Sequence, residues 1–178
     1  MTRKTARDWL EEGLTILAES GATQLTIDTL VARLDITKGS FYHHFASYQA
    51  FKEALLDYFE AKYTLQVIAV TEQAQPPAEK ITVLLERTLL GAPSRLEVAM
   101  RAWALQDAMV RAYQERIDKA RIIYLHQLCS VLTGNDRQAL AMARMLYTIY
   151  VGSQQIIPPL HGEGLRQLYQ HCLQAFGL

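Results

Sequence analysis

The sequence predicts an all-α protein of about nine helices, and three observations carry that prediction. Apolar residues recur at threes and fours along almost the whole chain, and no alternating apolar–polar stretch is long enough for a convincing sheet. Capping residues and glycine or proline breakers cut that pattern into segments of helix length. Half of the 178 residues are apolar and a fifth are charged, which suits a soluble chain with a sizeable core.

The first helix is expected over Ala6–Ser20. Thr5 can cap its start with help from Asp8, Gly21 suits a left-handed stop, and Leu10, Leu14 and Leu17 form one buried stripe. Thr26 caps a short second helix whose Ile27, Leu30, Val31 and Leu34 share a face. Asp35-Ile36-Thr37 makes a tight turn, and Thr37 can cap a third helix that reaches Phe45. Ser47 starts a long fourth helix carrying Phe51, Leu55, Leu56 and Phe59, which fades near Gln73 before Gln75-Pro76-Pro77 breaks the chain. Pro77 opens a fifth helix, and Gly91-Ala92-Pro93 stops it. Ser94 and Glu97 make a capping box for the sixth, and a break near Asp107 leads into a seventh that ends at Gly134. Asn135 with Gln138 starts the eighth, Pro158-Pro159 terminates it, and the ninth runs from Glu163 to Phe176.

Several functional classes find no support. No apolar run approaches the roughly 20 residues needed to span a bilayer, and the N-terminus lacks the apolar stretch of a signal peptide. Cys129 and Cys172 do not make a disulfide framework, so a reducing cytoplasm is the expected location. Catalysis needs a nucleophile, a base and an orienting group brought together, and no motif supplies them. The chain is therefore read as neither an enzyme nor the carrier of a cofactor. His126 and Cys129 share a helix face, with His161, His171 and Cys172 on later elements. Isolated histidine and cysteine on apolar helices are ordinary core residues, and no metal site is expected.

The informative stretch runs from Thr26 to Leu56. Two short helices joined by a three-residue turn, with Ile36 as the buried anchor of the turn, form a helix-turn-helix. In such a unit the second helix enters the major groove of DNA N-terminus first. That requires small or polar residues on its leading turn, and Thr37, Lys38, Gly39 and Ser40 qualify. Phe41 and Phe45, four apart, anchor the back of the same helix. Tyr42, His43 and His44 then project toward phosphates or outer base edges, contacts that position more than they specify. Thr26 and Thr37 add hydroxyls and unpaired amides at helix starts. Charge argues the other way. The net charge is zero, and in the first 48 residues Arg3, Lys4, Arg7, Arg33 and Lys38 are outnumbered by Asp8, Glu11, Glu12, Glu19, Asp28 and Asp35. Distribution helps, because three of those cations lie on the extreme N-terminal arm.

Gly39-Ser40-Phe41-Tyr42-His43-His44-Phe45 resembles throughout the Gly-[Ser/Thr]-[Leu/Phe]-Tyr-x-His-Phe signature that ends the helix-turn-helix of the TetR family. The preceding Leu30-Val31-Ala32-Arg33-Leu34-Asp35-Ile36-Thr37-Lys38 is also similar to that family's pattern. The resemblance implies a DNA-binding domain over residues 1–47 and an effector-binding and dimerisation domain over 48–178. It implies a repressor that binds a pseudo-palindromic double-stranded operator as a homodimer and is released by a small molecule. Thr26, Lys38, Ser40, Tyr42, His43 and His44 become the DNA contacts, joined by Thr37 and Gly39 of the leading turn. Family members often carry a phosphate-touching lysine just after the Ser47 position. Tyr48 stands there in this chain, and Lys52, one turn later, is the expected substitute. The alternative is a helical protein-interaction adaptor on the same scaffold, without operator binding.

The stretch from Glu97 to Leu128 is similar to a C-terminal domain type found in part of that family, through Ala99-Met100-Arg101-Ala102-Trp103-Ala104 and the later Asp118 and Arg121. Family members hold their effector among the fourth to eighth helices. That makes Met100, Trp103, Tyr124 and Tyr147 candidate lining residues, with Gln106 as a polar contact. Dimerisation has its own physical argument. Ala139 to Val151 carries Arg144 as its sole charge, and a helix apolar all round must be covered on both sides. Leu165, Leu168, Tyr169, Cys172, Leu173 and Phe176 supply a second stripe. The predicted eighth and ninth helices of two chains would make a four-helix, two-fold interface.

Overall fold

The computed structural model describes residues 4–89 and 94–178, and every regular element among them is helical. Helix α1 spans Ala6–Ser20, α2 Ile27–Leu34, α3 Lys38–His44 and α4 Tyr48–Glu60. A π-helical segment, Ala61–Leu65, continues into α5, Gln66–Thr71. There follow α6 (Lys80–Leu89), α7 (Ser94–Ala104), α8 (Ala108–Thr133), α9 (Asp136–Gln155) and α10 (Gly162–Ala175). Short 3-10 turns at Ala22–Gln24 and Pro77–Glu79 complete the order. The predicted fourth helix is thus α4, the π segment and α5 in one run, which brings the described helical rods to the nine expected.

The local signals act largely as their chemistry dictates. Thr5 and Asp8 form a reciprocal capping box, with the Asp8 carboxylate accepting the Thr5 amide at 2.7 Å. The hydroxyl of Thr26 accepts the Thr29 amide, Ser47 that of Ala50, and the Asn135 side chain that of Gln138. Asp107 caps α8 by accepting the Met109 and Val110 amides at 3.0 and 3.2 Å. Asp35 turns the chain in the left-handed region, at φ 54° and ψ 52°, a conformation aspartate tolerates better than most residues. Gly21 stops α1 at φ 77°, although its ψ of 175° is not left-handed helical. Thr37 departs from expectation. It stands at the start of α3 with extended backbone, but its hydroxyl makes no capping bond. The stop expected at Gly91-Ala92-Pro93 and the Ser94 hydroxyl cap lie outside the described residues.

Two compact units result. The first comprises Met1–Ala61 with Arg95–Gln114, and the second Lys62–Ser94 with Glu115–Leu178. Helix α4 and the 95–114 stretch therefore group with the N-terminal helices, whereas the sequence suggested a division before α4.

In the first unit, α1 presents Trp9, Gly13, Leu14, Ile16 and Leu17 to the interior, and Leu10 is only half-buried. Their main partners are aromatic. Phe41, Phe45 and Phe51 lie with ring centroids 5.1–5.6 Å apart, and Trp9 meets Phe41 edge-on at 5.4 Å. Such pairs contribute about 0.5–1.5 kcal/mol each beyond area burial. At Gly13, α1 and α4 approach closely. A Cβ there would stand 2.9 Å from Phe51 Cζ and 3.1 Å from Leu55 Cδ1.

The second unit has its own core, in which Leu125, Leu128 and Cys129 of α8 pack with Met142, Ala143 and Leu146 of α9 and with Leu165, Tyr169 and Cys172 of α10. No described helix is long and apolar enough to cross a membrane.

Candidate functional site

Helix α3 carries both sealed and exposed side chains. Phe41 and Phe45 are sealed in the core at 0% and 7% exposure. Three residues before and one after Phe41, the Lys38 side chain is 60% exposed and Tyr42 55%. Thr37, Gly39 and His43 are also exposed, and Ser40 is half-buried. The outer edge is thus small and polar at its start and aromatic one turn later. A Cβ on Gly39 would meet nothing closer than Thr37 Oγ1 at 3.7 Å, so internal packing does not require glycine there. Tyr42 rests edge-on against Phe41 at 5.4 Å, which ties its ring to the core although the residue is more than half exposed.

Lys38 is not isolated. Its ammonium lies 2.5 Å from Asp28 on α2, and the hydrogen bond to that carboxylate raises the lysine above its ordinary pKa. Most of the remaining acids of the first 48 residues are engaged on α1. Arg33 reaches Glu12 and Glu19, both at 2.8 Å, Asp8 caps its own helix, and Glu11 accepts the Tyr58 hydroxyl. The acids counted in that stretch of sequence are therefore largely engaged in internal contacts.

Two residues expected at DNA are placed elsewhere. The ring of His44 turns inward, where Nε2 lies 3.0 Å from the Lys4 carbonyl and the ring stands 6.4 Å from Trp9. Lys52 is only 12% exposed and binds the Asp107 carboxylate at 2.7 Å, so it does not replace a phosphate-binding lysine. Tyr48, at the position where such a lysine was sought, donates its hydroxyl to the Leu25 carbonyl at 2.6 Å. Thr26 is exposed, with its hydroxyl within reach of both the amide and the hydroxyl of Thr29.

The second unit carries a half-open cavity of about 330 Å³. Of the five residues expected around an effector, Tyr124 and Tyr147 line it. Met100 and Trp103 are instead core residues of the first unit, at 0% and 7% exposure, and Gln106 is exposed there. The sequence reading missed Tyr63, Thr64, Thr88, Tyr150 and Tyr169 as lining residues. It noted Arg121 only as half of a pair with Asp118. Arg121 donates from Nε to the Thr64 hydroxyl at 3.0 Å and from Nη2 to the Tyr63 carbonyl at 3.2 Å. Tyr124 donates to Glu72 at 2.6 Å, Tyr147 donates to Asp118 at 2.7 Å, and the Tyr169 hydroxyl lies 3.0 Å from that of Thr88. Burial pushes Tyr169 up to about 12 and, with the Glu72 bond, raises Tyr124 further. These phenols are hydrogen-bonding groups rather than acids. The arrangement offers apolar walls, ring faces and a fixed guanidinium, which suits binding.

Among the described residues no cluster of His, Cys, Asp and Glu could hold a metal ion. Cys129 and Cys172 are buried, and burial pushes the Cys129 thiol up to about 12.

Residues 10–59 match the family model of bacterial regulatory proteins, tetR family. No curated protein matches the chain in sequence. Solved structures do match over nearly its full length. NemR of E. coli in its reduced form is 22% identical, with a TM-score of 0.76 over 94% of this chain and 95% of that one. A transcriptional regulator from Rhodococcus sp. Rha1 is 15% identical, with a TM-score of 0.78 over 97% and 96%. SCO4454, a TetR-family transcriptional regulator from Streptomyces coelicolor, is 17% identical, with a TM-score of 0.74 over 96% and 93%. Residues 10–59 are thus similar to the tetR family of bacterial regulatory proteins, and the whole chain shares the fold of these solved structures.

Proposed function

We propose that the chain is a repressor that binds a pseudo-palindromic operator as a homodimer and lets go when a small molecule fills the cavity of its second unit. The observation that carries this reading is the outer edge of α3, where Lys38, Gly39, Tyr42 and His43 stand exposed while Phe41 and Phe45 fix the helix from behind. Thr26, Thr37 and Ser40 complete the set placed to meet phosphates or base edges. His44 and Lys52 support the domain from within.

Dimerisation draws support from the outward stripe of α9. Ala141, Met145 and Thr148 recur at four and three, with Met145 45% exposed, and α10 adds Leu168 at 42%. A second copy of the same stripe would cover it by two-fold symmetry. Effector release draws support from chain continuity. The helical run from α4 passes through the π segment, whose Lys62, Tyr63 and Thr64 line the cavity. An effector that favours one shape of that segment would bias the operator-binding state, and operator would lower effector affinity by the same factor.

The test is selection of genomic DNA fragments by the full-length chain. A shared pseudo-palindromic motif, bound by two chains, is the expected result. Recovery of fragments without any common motif would favour a protein-binding role for the scaffold.

A further inference from the structure

On the reading that α3 enters a DNA groove, we propose that Lys4 contacts a phosphate beside the last turn of α3, held there by His44. The peptide unit between Lys4 and Thr5 is gripped on both sides. Its carbonyl lies 3.0 Å from His44 Nε2, and because a carbonyl only accepts, that nitrogen carries the hydrogen. Its amide donates to the Asp8 carboxylate at 2.7 Å. The His44 ring is itself seated, with ring centroids 6.4 Å from Trp9 and 6.3 Å from Phe45. The backbone just ahead of α1 is thereby docked on α3, across 40 positions of sequence.

That docking sets a cation beside the exposed edge. His44 directly follows Tyr42 and His43, both exposed. Helix α3 has seven residues. It therefore rises about 10 Å, less than the roughly 12 Å width of the major groove. Its last turn thus lies near a sugar-phosphate rail when its leading turn meets bases. Lys4 is half-buried, as a lysine is whose stem lies along a surface. Among the described residues its ammonium has no ion-pair or hydrogen-bond partner. Asp8 is held below the ordinary carboxylate range chiefly by the Thr5 amide and then by the Thr5 hydroxyl, with the charges of Lys4 and Arg7 adding less. Arg7 in turn lies 3.7 Å from Glu11, and Lys38 starts from its pair with Asp28. A phosphate therefore meets Lys4 without first breaking a bridge, and the docked backbone lowers the entropy cost of ordering that side chain.

The test is fluorescence anisotropy across a salt series, with the full chain, a genomic fragment that it selects and a scrambled duplex of equal length. Lys4→Ala should weaken binding to both duplexes several-fold and reduce the salt slope by about one per chain. His44→Phe keeps a ring against Trp9 and Phe45 but has no N–H, and it should reduce the slope as far as Lys4→Ala does. The two substitutions together should lose no more than Lys4→Ala alone. His44→Gln, whose amide nitrogen can stand where Nε2 stood, should keep the wild-type slope. The proposal is overturned by an unaltered slope with Lys4→Ala, by weaker binding at full slope with His44→Phe, or by a Lys4→Ala loss confined to the selected fragment. Lys4→Ala decides the phosphate contact by itself, should His44→Phe fold poorly. A wild-type chain that binds no duplex sinks the groove reading and this contact together. Wild-type binding that Lys4→Ala leaves untouched sinks the contact and spares that reading.

Discussion

The ammonium of Lys52 lies 2.7 Å from the carboxylate of Asp107, and the same carboxylate caps α8 by accepting the Met109 and Val110 amides. The hydrogen bond from Lys52 is the main reason that Asp107 is held below the usual carboxylate range. Their side chains are only 12% and 25% exposed, so the pair is screened less than a surface bridge. Lys52→Met should lower stability by about 1–2 kcal/mol, read from denaturant unfolding at fixed protein concentration. The pH dependence follows from the direction of the shift. A carboxylate lowered in the folded state contributes stability above its unfolded pKa, about 3.9, and that contribution is lost as pH falls through the lower folded value. The gap between wild type and Lys52→Met should therefore close in that acid window. A gap of unchanged size would mean that the pair does not account for it.

Lys38 and Asp28 set up a competition at the edge of α3. If the ammonium leaves Asp28 for a phosphate, Lys38→Ala should weaken binding to all duplexes and reduce the salt slope by about one. Asp28→Asn should act in the opposite direction, tightening binding several-fold, because a carboxylate beside the backbone repels it. Fluorescence anisotropy across a salt series checks both. Unaltered slopes in the two variants would move Lys38 away from the phosphates.

Gly13 allows α1 and α4 to approach. Gly13→Val should destabilise by roughly 1–3 kcal/mol, since the ring of Phe51 is fully buried among Phe41 and Phe45 and has little room to retreat. Gly13→Ala should cost less, because better helix propensity offsets part of the crowding by about 1 kcal/mol. Unfolding midpoints that rank alanine below valine would contradict this packing.

Both cysteines are buried, and burial raises both thiols, Cys129 to about 12. The thiolate is the reactive form, so a disulfide reagent at pH 8 should label neither in the native protein and both after denaturation. Rapid native labelling would show that the core opens readily.

The buried pair of α3 was legible because Phe41 and Phe45 lie four apart and share one face of a helix without reference to the rest of the chain. The caps were legible for the same reason. Thr5, Thr26, Ser47 and Asn135 act within three residues of themselves. What stayed hidden depends on distant partners. Lys52 meets Asp107 across 55 positions, and His44 meets Lys4 across 40, so nothing local marks either as an inward-facing residue. Met100 and Trp103 were expected in the cavity because bulky apolar residues show one periodicity whether they wall a void or fill a core. The π segment at 61–65 contains neither glycine nor proline and reads as uninterrupted α-helix. The polar lining that it carries, Tyr63 and Thr64 beneath Arg121, emerges only from the packed structure.

The central claim is that α3 reads a DNA groove, and a chemical footprint on a genomic fragment that the chain selects tests it most directly. Two protected major-groove patches about 10–10.5 base pairs apart, or a whole multiple of that, are predicted, and both should disappear with Lys38→Ala combined with Tyr42→Ala. A single patch, or protection that survives the double substitution, would contradict it.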